Sequence, residues 1–142
     1  MAALPKPQNA LGAIHAILAG FPFALFSSGL AADIAYLKTA EIQWTNFAAW
    51  LITGALLVGG VVLAWALAAL LIGFRSPDRT RRIIYVLLLM AMWILGLINA
   101  FKHSQDAWSS VGSLGLMLSI ASAMLAFGAN FVLHSGVREI VR

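Results

Sequence analysis

Four apolar runs, at about 13–36, 47–73, 83–101 and 111–134, dominate this 142-residue chain, and only short polar segments separate them. About 20 helical residues, rising about 1.5 Å each, cross the ~30 Å of hydrocarbon in a bilayer. Each run is therefore long enough to span. Together they take up about two thirds of the chain, which leaves no room for a soluble domain. The expected fold is all-α: a single integral membrane four-helix bundle over residues 1–142, with short connections that favour antiparallel neighbours and up-down topology.

Composition supports the same class. Charged residues make up 10% of the chain, against roughly 25% for a typical soluble domain, and mean hydropathy is +0.93. The absence of cysteine excludes disulfides, thiolate catalysis, Cys-ligated zinc, iron–sulfur clusters and covalent c-type haem from this chain. A metal or haem would have to rest on His15, His103 or His134. Lys6, the first apolar run and Gly29-Leu30-Ala31-Ala32 resemble the parts of a cleavable signal peptide. The run continues to Tyr36, beyond a usual signal core, so it is expected to stay as the first helix.

Positive charge predicts the orientation. Lys6, Arg75, Arg79, Arg81, Arg82, Arg138 and Arg142 flank one side, and only Lys38 and Lys102 flank the other. The positive-inside rule places both termini and the 74–82 loop in the cytoplasm. Tyr36, Trp44 and Trp108 then form an outer aromatic belt, with Tyr85 near the inner face. The net charge of +4 reads as a topology signal, with attraction to anionic headgroups as a secondary effect. The arginines are scattered over loops without a base-stacking platform, so nucleic acid is excluded as a partner.

Small residues four apart mark close helix contacts in lipid. Gly60, Ala64 and Ala68 in the second run, and Ser122, Ala126 and Asn130 in the fourth, predict that helices two and four pack through these stripes. Gly59 and Gly60 serve the same packing, or make room for a flat cofactor. Pro22 removes a backbone donor inside the first helix, predicting a kink near Gly20 and carbonyls that need a neighbour.

Few residues can carry chemistry. His15, Asp33, Asn99, Asn130 and His134 are polar groups at membrane depth, and each requires a partner. His15 lies near the cytoplasmic start of helix one and His134 near the cytoplasmic end of helix four, so antiparallel packing gives them similar depth. Two such histidines meet the requirement of a bis-imidazole haem b, whose iron takes one neutral nitrogen from each side. Asn130, one turn from His134, is then a supporting hydrogen-bonding group, and Gly20 leaves space beside His15 for the macrocycle. The competing expectation is two interfacial histidines bonded to headgroups or helix carbonyls. His103 is expected to be an exposed histidine near Lys102 and Asp106. Asp33, on the His15 stripe but about 27 Å away, is expected to pair with Lys38 or Lys102.

Ile14-His15, Phe21-Pro22 and Asp33 resemble the opening of a bacterial membrane-protein family, domain of unknown function 2231. In that family helix one typically begins His-Pro-x-x-Val-His-Phe-Pro, and an Asp follows eleven residues after the last proline. Phe47-Ala48-Ala49-Trp50-Leu51, Arg81-Arg82 and the ending Phe131-Val132-Leu133-His134 with Gly136-Val137 are similar too. Ala16 stands where the family usually has Pro, and Gly20 where it has a second His, so a site needing both helix-one histidines is incomplete here. Similar domains occur beside or fused to Rieske or cytochrome modules, and the resemblance thereby implies membrane electron transfer.

Three function classes follow. The first is a non-catalytic electron carrier in the bacterial cytoplasmic (inner) membrane, holding haem b and exchanging electrons with quinone or a redox partner. The second is a cofactor-free accessory subunit of a larger membrane complex, or a homo-oligomer. A transporter is disfavoured by the few intramembrane charges and the lack of an inverted repeat. Reporter fusions at Arg142 and in the 38–46 loop are expected to place the first in the cytoplasm and the second outside. A periplasmic signal from the C-terminus contradicts this orientation.

Overall fold

A computed structural model describes residues 10–73, 75, 77–105 and 111–135. It contains α1 (Ala10–Thr39), α2 (Ile42–Ile72), α3 (Arg79–His103) and α4 (Ser113–Ser135), with no strand among the described residues. All four helices are long and apolar enough to cross a membrane. Lys6, Asp106, Trp108, Gly136, Val137, Arg138 and Arg142 lie outside the described residues.

α1, α2 and α3 extend beyond their apolar runs. α2 begins at Ile42 rather than 47, because Gln43, Thr45 and Asn46 are polar yet helical. α3 continues to His103 rather than stopping at 101, and this extension brings a histidine into the bundle. Between α1 and α2 the reversal is tight. Ala40 takes a left-handed φ of 56° while its N–H closes on the Tyr36 carbonyl at 2.8 Å, an αL helix stop. Without glycine there the conformation costs about 1–2 kcal/mol. The Glu41 backbone is extended, and α2 starts at the next residue. At the other end of α2, the Arg82 guanidinium donates to the Ala69 carbonyl at 2.9 Å, placing a cation at a helix C-terminus.

The helices form a square. α1 packs on α2, α2 on α3, α3 on α4, and α4 back on α1. Neighbours are antiparallel: Asn130 meets Ala19, Phe127 meets Phe23, and Ser119 meets Asp33 along α1 and α4. One end of the bundle, here the terminal end, carries Ala10, Ser135 and the α2–α3 connection. The opposite, hairpin end carries the α1–α2 and α3–α4 connections.

The α2 stripe differs from the expected one. Ala64 and Ala68 are exposed, whereas Ala48, Ile52, Ala55, Gly59, Val62 and Ala66 are buried. Strict four-residue spacing advances about 40° around a helix per step, so it drifts off any one face. The buried set alternates threes and fours and stays in place. Ser122 and Ala126 of α4 are buried as expected, but their helix lies diagonally across from α2 instead of beside it. Gly59 accommodates Met92 and Pro22, and Gly60 accommodates Trp93, whose indole N–H donates to the Leu56 carbonyl at 3.1 Å.

Phe26, 1% exposed, crosses the other diagonal from α1 to α3. A Cβ on Gly96 would lie 2.6 Å from its Cζ, so glycine is what admits the ring. Gly96→Ala is expected to cost about 1–3 kcal/mol by overpacking in detergent unfolding, partly recovered by adding Phe26→Leu. Ala64→Leu is expected to stay within about 0.5 kcal/mol. Equal costs at the two positions would contradict this packing.

Candidate functional site

Desolvating a carboxylate is expensive unless it is paired and hydrogen-bonded, yet Asp33 is 0% exposed. Its partner is neither Lys38 nor Lys102. The His103 Nε2 lies 2.8 Å from Asp33 Oδ1, and both side chains are fully buried. Ser119 of α4 donates a short hydrogen bond to Asp33 Oδ2, and Asn99 Nδ2 donates to Ser119 Oγ at 2.8 Å. Three helices therefore converge on one carboxylate at the hairpin end. Lys102 instead reaches Gln105, with Nζ 2.8 Å from Oε1.

The expected exposed His103 is thus a buried one. Hydropathy ends the third run at Phe101 because Lys102 and His103 are polar, but the helix carries on through them. The ring is fixed from its own helix. His103 Nδ1 is 3.0 Å from the Asn99 carbonyl, which can only accept, so this nitrogen carries a hydrogen. The spacing Asn99-x-x-x-His103 was the available signal. It identifies two polar residues on one helix face.

A second polar contact crosses the same diagonal at the terminal end. His15 Nε2 is 3.1 Å from the Tyr85 hydroxyl, and the His15 ring also packs against Trp65, with centroids 5.4 Å apart. His15 Nδ1 is buried without a partner. His15–Tyr85 and Asp33–His103 both join residues seventy positions apart, as does the contact of Phe26 with Gly96. α1 and α3 therefore run parallel in a fixed register, clasped at two levels. Eighteen residues separate the levels on each helix, about 27 Å of rise, close to the ~30 Å of a bilayer's hydrocarbon.

Of the four residues expected to hold haem, His15, Asn130 and His134 make hydrogen bonds within the bundle. Asn130 Nδ2 donates to the Ala19 carbonyl at 2.7 Å. This acceptor neighbours the Leu18 carbonyl, which Pro22 cannot serve. The donor from the neighbouring helix thus sits one carbonyl along from the one that Pro22 frees. The α1–α4 register puts His15 level with His134, but His15 is half-buried against α2 and α3 while His134 is exposed. His134 Nδ1 bonds the Asn130 carbonyl at 2.8 Å. A Cβ on Gly20 would meet nothing within 4 Å, so space exists there. A cavity at the terminal end, lined by Arg81, Arg82, Tyr85, Val132 and Leu133, measures about 60 Å³. That is room for about two waters.

Four long apolar helices closed around a polar-clasped core define a multi-pass membrane protein. The chain belongs to the family described as a predicted membrane protein, domain of unknown function 2231, whose family model matches residues 12–138. No curated protein and no solved structure matches the chain.

Proposed function

We propose that the chain is a small accessory subunit of a larger complex in the bacterial cytoplasmic membrane, inserted with its arginine-rich terminal end inward. The observation that carries this reading is the engagement of its intramembrane polar groups with one another. His15 holds Tyr85, Asn130 holds α1, and Asp33 gathers His103 and Ser119. Groups of this kind fasten helices. What the bundle offers outward is apolar: Trp50, Phe101, Phe127 and Phe131 are all exposed, suited to lipid or to the apolar flank of another membrane protein.

A second reading, a haem b electron carrier working with quinone or a redox partner, is favoured by one observation. His15 and His134 are level, and each ring is held through one nitrogen while the other, His15 Nδ1 or His134 Nε2, makes no hydrogen bond among the described residues. A ring oriented in this way is what a metal ligand needs. Haem binding would require the rings to turn toward one another, away from the half-buried and exposed surroundings they now occupy.

A reduced-minus-oxidised spectrum of protein purified with adequate haem supply separates the readings. The accessory reading predicts a colourless protein that migrates as part of a larger assembly in a native gel of mildly solubilised membranes. A low-spin haem signal abolished by either His15→Ala or His134→Ala would overturn it in favour of the carrier.

A further inference from the structure

We propose that Asp33 and His103 form a binding site for one exchangeable proton, and that release of this proton parts α1 from α3 at the hairpin end while the terminal end stays closed. Hydrogen accounting leads to the site. His103 Nδ1 faces a carbonyl and must donate. Ser119 Oγ receives the Asn99 amide hydrogen and gives its own to Asp33 Oδ2. Every hydrogen shared between these side chains is then assigned except one, on the 2.8 Å line between His103 Nε2 and Asp33 Oδ1. With it in place the pair is neutral overall, whether the proton is drawn on the ring or on the carboxyl.

Release breaks the bond from this hydrogen to Nε2 or Oδ1 and hands the proton to water. It leaves the carboxylate facing the Nε2 lone pair of a neutral ring. The result is a buried net negative charge with two electron-rich atoms opposed. Uptake of a second proton gives a protonated carboxyl facing an imidazolium, a buried net positive charge. Either change opposes burial, so the clasp holds best with one proton.

No other charge competes in the core among the described residues. On α3, Lys102 turns to Gln105, and Lys38 and Glu41 lie exposed at the α1–α2 reversal. The buried residues that α2 and α4 bring to this end, Thr45 and Ala48 with Ser119 and Ser122, do not titrate in the accessible range. Asn99 Oδ1, in the same network, is buried without a partner, an acceptor that hydration would satisfy as the end opens. The other clasp has no carboxylate, so the same pH change leaves the His15–Tyr85 end without a buried anion.

The chain has no cysteine, so spin labels can be placed without background. Labels at Lys38→Cys and Gln105→Cys in liposomes should show a longer, broader distance distribution as pH is raised, reversibly, while a pair at the terminal end stays constant. Asp33→Asn should remove the response. The new amide can donate to His103 Nε2 and accept from Ser119, keeping the shape with no proton to lose. A second measurement needs no change at position 33. Nitrogen-15 histidine and carbon-13 carboxyl spectra of the unlabelled wild-type protein should show the pair losing one proton, from the His103 ring or the Asp33 carboxyl, over the pH range in which the distance lengthens. An unchanged distance response in Asp33→Asn, or a pair in which neither the His103 ring nor the Asp33 carboxyl titrates between pH 4 and 11, would overturn the proposal.

Discussion

One buried carboxylate governs how these four helices stack. Asp33 has no exposed surface, and an unpaired charge at that depth would cost more than a small bundle can bear. Its answer comes from two other helices at once, through His103 and Ser119. Because His103 is held to the Asn99 carbonyl and Asn99 to Ser119, the requirement fixes the depth of α3 and α4 relative to α1. The rest of the diagonal follows the same register, with Phe26 over Gly96 and His15 at Tyr85. Apolar packing in lipid gives little preference for one vertical register over another, since the surrounding solvent is as apolar as the side chains. Polar contacts at two levels supply it.

Much of the fold was legible because hydropathy reports a property that lipid demands. The four helices, their up-down order and the packing role of Gly59, Ser122 and Ala126 follow from run length and small-residue content. What was not legible depends on rotation and on helix ends. Gly60, Ala64 and Ala68 make a regular stripe on paper, but the 3.6-residue turn carries the last two to the outside. Hydropathy stopped α3 at Phe101, and this left His103 outside the bundle and Asp33 looking to the lysines. Counting depth from a polar contact at the opposite end, His15 with Tyr85, would have paired Asp33 with His103. Asn130 donates near Pro22, but to the Ala19 carbonyl, one residue along from the Leu18 carbonyl that the proline cannot serve.

For function, the arrangement shifts interest from the terminal end to the hairpin end. His15 and His134 share a level, but their rings have different surroundings and different hydrogen-bond partners. Asp33, His103, Ser119 and Asn99 are by contrast assembled, buried and mutually bonded. An accessory subunit with such a clasp would present a fixed outer surface while the clasp is protonated and a looser one when it is not. Membrane complexes that move protons or electrons change local proton availability. A subunit of this build would register that change in its shape.

The central claim, that Asp33 and His103 hold each other across the diagonal, is tested most directly by a double-mutant cycle. Asp33→Ala, His103→Ala and the double variant would be compared by unfolding in detergent at neutral pH. The account predicts that the two losses are strongly non-additive, with a coupling of about 1.5–3 kcal/mol as for a hydrogen bond to a charged group. Losses that add to within about 0.5 kcal/mol, the behaviour of residues that do not interact, would contradict it.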